Sequence, residues 1–151
     1  MSENNVQKGQ SLVELALTIS ILMILLAGAF DIGNAFLDYI AIRDAAQEGA
    51  MYASVAPLKT DETVARVQQS STKPIDLMSD LNSVNCSSDP NKPGYVCVTY
   101  PDGLQCTGQT VQVDVYYNYQ VIMPLYSTVF GISTIPLHAS VSNVILAELC
   151  P

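Results

Sequence analysis

Glu14 is a lone carboxylate at the head of sixteen uncharged residues, Leu15 to Phe30, LALTISILMILLAGAF. An ionised carboxyl in hydrocarbon costs about 3 kcal/mol even on lenient insertion scales, so such a group needs a partner and marks a function. Gly9 lies five positions earlier. The other residues with chemical potential read more plainly. Cys86, Cys97, Cys106 and Cys150 contain no CxxC pair, and His138 is the only histidine. Zinc spacing is therefore absent, and an even cysteine count beyond an export or anchor segment points to disulfides in an oxidising compartment. There is no glycine-rich phosphate loop, no HExxH and no nucleophile elbow, so no catalytic residue, metal ligand or cofactor is expected.

The elements that must hold these groups begin with the apolar run. Counted from Leu12 it has nineteen residues with Glu14 inside, close to the about 20 that a bilayer span requires. It is hydrophobic on every face, and one 151-residue chain offers too little apolar surround to bury it as a core helix. An ordinary secretory signal would carry positive charge before the run and be cut after it, with Ala27-Gly28-Ala29 as the site. Here a glutamate precedes the run, and the leader MSENNVQKG is short and polar. The charge balance, 14 acidic against 6 basic residues and a net charge of -8, excludes a phosphate-neutralising surface for nucleic acid. It also disfavours a basic patch for anionic membrane surfaces.

Beyond the span the helix is expected to continue. Ile32, Phe36, Tyr39, Ile40, Ala46, Ala50 and Ala53 recur at three- and four-residue steps, with Asp38, Arg43, Asp44 and Glu48 between them. Asp31 and Asp38, seven apart, share a helix face and are expected to meet water. Pro57 stops the helix, which from Ser11 to Val55 would be about 67 Å long. Thr60 is the expected N-cap of a short helix through Val64 and Val67 that ends before Pro74, and Ile75 to Leu81 is read as a further turn or two. Asp89 to Gly94 is a loop by composition.

Strands follow. Tyr95 to Tyr100 is rich in β-branched and aromatic residues, and Pro101-Asp102-Gly103 supplies a turn. Val111, Val113, Val115, Tyr117, Tyr119 and Val121 alternate with polar residues, as in a half-buried strand. After a connector, Ile135, Leu137, Ala139 and Val141 open another alternating strand, with His138 on its polar, solvated face. In the Tyr116-Tyr117-Asn118-Tyr119 cluster, alternation sends Tyr117 and Tyr119 to the core and Tyr116 the other way. Three strands in meander order against the emerging helix make an α+β fold: a long N-terminal helix, membrane-spanning in its first half, packed on a small antiparallel β-meander domain. Four cysteines allow 3 pairings. Consecutive antiparallel last strands would put Cys106 beside Cys150, leaving Cys86 with Cys97; Cys97 with Cys106, across the turn, is the competitor.

The register of Gly9 and Glu14 resembles the processing pattern of pilins, in which hydrolysis between Gly9 and Gln10 would leave the apolar segment on the processed chain and give Glu14 a partner, the new amine of Gln10. Residues 9 to 54, GQSLVELALTISILMILLAGAFDIGNAFLDYIAIRDAAQEGAMYAS, resemble the start of TadE-like pseudopilins of tight-adherence pilus systems. Asp31, Gly33 and Phe36 fit that family's D-x-G-x-x-F step, and Glu48, Gly49, Ala50, Tyr52 and Ala53 fit its EGA-x-YA segment. Two departures stand out: Glu3 offsets Lys8 in the leader, and Met51 occupies a position where arginine is common. The resemblance implies cleavage between Gly9 and Gln10, subunit interaction through Glu14, and a prepilin peptidase, a pilus assembly platform, other pilins or pseudopilins and membrane lipid as partners. It implies a minor subunit that enters or primes a filament. The expected division is leader 1–9, transmembrane and polymerisation helix 10–30, its exposed continuation 31–56, and an extracytoplasmic domain 57–151. The chain would be single-pass in the cytoplasmic membrane, N-terminus inside, or extracellular in a pilus. An uncleaved, anchored extracellular binding module and an exported enzyme freed near Ala29 are the competing classes, and the mass of the mature N-terminus separates all three.

Overall fold

The computed structural model describes residues 4–71, 78–79, 94–103, 105–123, 127–128 and 131–147. Helix α1 runs without a break from Asn4 to Val55, 52 residues. That is about 78 Å at 1.5 Å per residue. Nothing inside it breaks the ladder. Its polar residues in the apolar half bond back to the helix itself: Thr18 Oγ1 to the Leu15 carbonyl at 2.9 Å and Ser20 Oγ to the Ala16 carbonyl at 2.8 Å. Hydroxyls satisfied in this way are tolerated in lipid. Val55 is the last helical residue, two before Pro57.

Helix α2, Thr60–Ser70, lies against α1 and buries Thr63, Val64 and Val67. Lys59, not Thr60, occupies its N-cap position and makes no side-chain cap; Asp61 and Glu62 in the first turn complement the helix dipole instead. The sheet contains β1 (Met78–Ser79), β2 (Gly94–Thr99), β3 (Thr110–Gln120) and β4 (Thr134–Val144), in that spatial order. The last three form the antiparallel meander, with Val96 opposite Val115 and Val113 opposite Val141. The short β1 pairs in parallel with β2. Residues 78–79 were expected in a helical turn; the rest of 75–81, and the loop 89–93, lie outside the described residues. Gly103 closes the expected turn, with its N–H bonded to the Tyr100 carbonyl at 2.9 Å and φ of 72°, a conformation that favours glycine.

The core lies between the second half of α1, α2 and one face of the sheet. Ile42, Ala45, Ala46 and Ala50 meet Val64 and Val67 from α2, and Val96, Val113, Val115 and Ala139 from the strands. A smaller cluster joins Ala53, Val111 and Ile145. The fold is thus α+β, a long N-terminal helix packed on an antiparallel sheet.

The buried stripe of α1 is not the one its large apolar residues suggest. Gly28, Asp31, Ala35, Asp38, Ile42, Ala45, Ala46, Gly49, Ala50, Ala53 and Ser54 face the domain, whereas Ile32 (69% exposed), Phe36, Tyr39 and Ile40 do not. Only Ala46, Ala50 and Ala53 of the expected stripe are inside. Two stripes share the 3.6 period, and packing selects the one whose small side chains let the sheet approach closely. Asp31 and Asp38, expected in water, are 4% and 5% exposed.

Candidate functional site

The candidate site is α1, and its residues divide by depth along the helix. Every residue from Gln10 to Leu26 is exposed, and Gly28 is the first buried one. Gln10 to Ala27 therefore forms a bare apolar rod of eighteen residues, about 27 Å long. That length matches the about 30 Å of a bilayer's hydrocarbon core. Gly9 and Gln10 lie within continuous helix, and Glu14 sits one turn after Gln10, where Gln10 Nε2 donates to Glu14 Oε1 at 3.4 Å. No group from the domain reaches Glu14 among the described residues.

At the other end of the rod, Asp31 ties the helix to the sheet. Its carboxylate accepts the backbone N–H groups of Ile122 and Met123, each at 3.2 Å, and the Tyr119 hydroxyl at 3.4 Å. These amides follow Val121, whose N–H still bonds to the Ser133 carbonyl at 3.0 Å, so the aspartate takes over where pairing with the next segment stops. Burial pushes the Tyr119 hydroxyl above the ordinary tyrosine range, and the charges of Asp31 and Asp38 push it further. Gly33 and Phe36, from the same motif, lie on the opposite, exposed face.

The second motif is a packing joint. A Cβ on Gly49 would overlap Val67 Cγ2 and meet Val113 Cγ1 at 3.4 Å. Glycine is thus what allows α1, α2 and β3 to meet at one point. Ala50 and Ala53 are buried beside it, and Glu48 is exposed. Tyr52 turns toward α2, where its hydroxyl donates to Glu62 and its ring stacks under Arg66 at 5.3 Å. Glu62 also accepts from Lys59 Nζ at 2.9 Å. Hydrogen bonds from Tyr52 and Lys59 hold the Glu62 carboxyl below its usual range, and the Glu62 bond raises the Tyr52 hydroxyl.

The sheet's outer face carries a polar set. Tyr95, Tyr116 and His138 stack across β2, β3 and β4, with centroids 4.6 and 4.2 Å apart. Asp114, 5% exposed, accepts from Gln112 Nε2 at 3.0 Å and lies 3.1 Å from His138 Nε2. His138 is half exposed, as its place in the alternation requires, but it is engaged by Asp114 and Tyr116 rather than freely solvated. Sequence alternation identified the face; the Asp114 partnership needed the strand register. Among the described residues no cluster of His, Cys, Asp and Glu fits a metal ion. Cys97 and Cys106 are disulfide-bonded; Cys86 and Cys150 lie outside the described residues.

This geometry defines a chain with one long, exposed, apolar N-terminal helix, a candidate membrane span by length and composition, carrying an α+β domain on its distal half. Residues 9–51 match the family model of TadE-like protein, a span that takes in the first motif and the second as far as Met51. No curated protein and no solved structure matches the chain.

Proposed function

We propose that the chain is a non-enzymatic minor pilin or pseudopilin of a tight-adherence-type pilus system, processed between Gly9 and Gln10. The carrying observation is that the bare rod from Gln10 to Ala27 ends where the domain begins, at Gly28 and Asp31. Cleavage near Ala29 would sever Gly28 from the domain it packs on, and this argues against a removable signal. In the proposed reading, residues 10–30 cross the membrane, 31–56 continue the helix outside, and 57–151 lie on the extracytoplasmic side with their disulfides. The cytoplasmic leader 1–9 meets a prepilin peptidase. The released Gln10 amine of one subunit then pairs with the Glu14 carboxylate of a neighbour, because an intramembrane charge is stable only with a partner. The pilus assembly platform and other pilins complete the set.

The test is the mass of the mature N-terminus from membrane-extracted protein. A start at Gln10 is expected; a start at Phe30, or retention of Met1, overturns the reading. Glu14→Gln removes the intramembrane charge, so insertion and processing should proceed while filament incorporation falls, measured in sheared pilus fractions. Wild-type incorporation of Glu14→Gln would remove the pairing role.

A further inference from the structure

The outer edge of β4 and the exposed side of α1 beside it form one continuous surface, and the geometry points to it as a docking site for an extended strand of a different chain. The backbone comes first. Val121 N–H bonds to the Ser133 carbonyl at 3.0 Å, and Ile145 N–H to the Gln109 carbonyl at 2.8 Å. Odd-numbered residues of β4 therefore point their N–H and C=O groups at β3, and even-numbered residues point theirs outward. β4 is the last strand of the sheet, so that outward row has no strand beside it among the described residues. Both ends are closed off. Pro136 has no N–H to offer, Val144 N–H is capped by Asn143 Oδ1 at 2.9 Å, and Leu146 N–H bonds to the Ser54 carbonyl at 2.8 Å. Among the described residues, His138, Ser140 and Ser142 remain as an open ladder, the kind of edge that strand addition uses.

The helix supplies a floor for the incoming side chains. The Leu146–Ser54 bond marks the side of α1 that faces this edge, and the Tyr52–Glu62 bond marks the opposite side, toward α2. Phe36 is eighteen positions before Ser54, about five turns at 3.6 residues each, so it lies on the edge side. Ile32, Phe36, Ile40 and Arg43 follow one another there at helical steps, and all are exposed, Phe36 at 61%. The shelf is continuous with the bare apolar rod.

Direction excludes a second copy as the occupant. Gly28, Asp31 and Ile32 border Ile132 and Ile135, while Ser54 meets Leu146, so β4 runs the same way as α1. Antiparallel pairing of two β4 strands would point their spans in opposite directions, which chains anchored in one membrane cannot adopt; this step rests on the proposed membrane reading. Parallel pairing turns the second sheet over and lays its His138, Ser140 and Ser142 on the apolar shelf. β4 also carries no acidic residue to meet Arg43, which makes no ion pair among the described residues. The fitting partner is an extended segment with alternating apolar residues on one face and an acidic residue near Arg43.

The test uses the full chain in detergent micelles and a short synthetic peptide alternating Val and Thr with one Val replaced by Glu. Filaments are not involved, so its outcome is independent of pilus function. The peptide should slow amide hydrogen exchange at His138, Ser140 and Ser142, leaving the already protected Ala139 and Val141 unchanged. Ser142→Pro copies what Pro136 already does in this strand, and Phe36→Ser alters only an exposed side chain. Each should weaken peptide binding about tenfold or more, equivalent to about 1.4 kcal/mol. No slowing of exchange, or binding that neither variant weakens, overturns the site. A Ser140→Cys chain that cross-links mainly to itself in membranes overturns the assignment to a different chain.

Discussion

At the residue scale, the chain uses two carboxylates on one helix for opposite ends. Glu14 is exposed on the rod, bonded among the described residues to the Gln10 side chain alone, whereas Asp31 is almost fully enclosed and accepts three hydrogen bonds. A buried carboxylate is stable only when hydrogen-bonded, and the amides of Ile122 and Met123 meet that need without a cation. Asp31→Ala would leave those amides unpaired. Loss of hydrogen bonds to a charged acceptor costs about 2 kcal/mol. The expected result is a clear drop in thermal midpoint with faster exchange at residues 122 and 123 and an unchanged span. Unaltered stability would mean that water replaces the carboxylate without cost.

At the element scale, the joint at Gly49 decides how α2 sits. The β-branched Val67 side chain is fully buried and cannot swing away from an added methyl. Gly49→Ala should therefore destabilise the domain by about 1–3 kcal/mol through overpacking, despite alanine's better helix propensity. Equilibrium denaturation in detergent checks it, and a stabilised variant would contradict the joint. The register also bears on the disulfides. Cys97 lies opposite Asp114, and Gln109 is five positions along β3 from that point, about 17 Å in an extended strand. Gln109 N–H bonds to the Cys106 carbonyl at 3.1 Å, a single turn, so Cys106 is within about 7 Å of Gln109. Cys97 and Cys106 are thereby about 10 Å or more apart, beyond the about 4.4–6.8 Å that a bridge spans. Thr107 Oγ1 meanwhile reaches the Ala147 carbonyl, close in sequence to Cys150. Non-reducing peptide mapping should yield Cys86–Cys97 and Cys106–Cys150; a Cys97–Cys106 peptide would refute both the pairing and this register argument.

At the scale of the whole molecule, the domain is a small sheet clamped on a long lever, and its tyrosines report the clamp. Burial raises the hydroxyls of Tyr100, Tyr116 and Tyr119, the last also through Asp31 and Asp38. A folded-state value above the unfolded one means that the folded chain holds those protons more tightly. The associated stability is complete below the unfolded value of about 10 and is lost as pH rises through the higher folded values. The thermal midpoint should therefore fall above about pH 10. Tyr119→Phe, which cannot ionise, should flatten that decline; a variant that declines as steeply as the parent would show that Tyr119 takes no part.

Much of this was legible without coordinates. The uncharged run, its length and the carboxylate at its head are read from local composition, which needs no tertiary partner. The last two strands of the meander followed from alternation at 111–121 and 135–141, because a strand's period of two sorts its faces before any partner is known; the first was read from its β-branched and aromatic residues. The Gly9 and Glu14 register and the two motifs were legible through the family resemblance that residues 9 to 54 carry. Tertiary structure decided which side of α1 is inside. Ile32, Phe36 and Ile40 make as good a helical stripe as Asp31, Ala35, Asp38 and Ile42, and periodicity cannot rank them. The choice depends on donors more than ninety residues away: Ile122 and Met123 accommodate Asp31, and the close approach at Gly49 rewards small side chains. That choice turns the large apolar residues outward, beside an edge strand whose outward row of amides, open among the described residues, no local pattern could reveal.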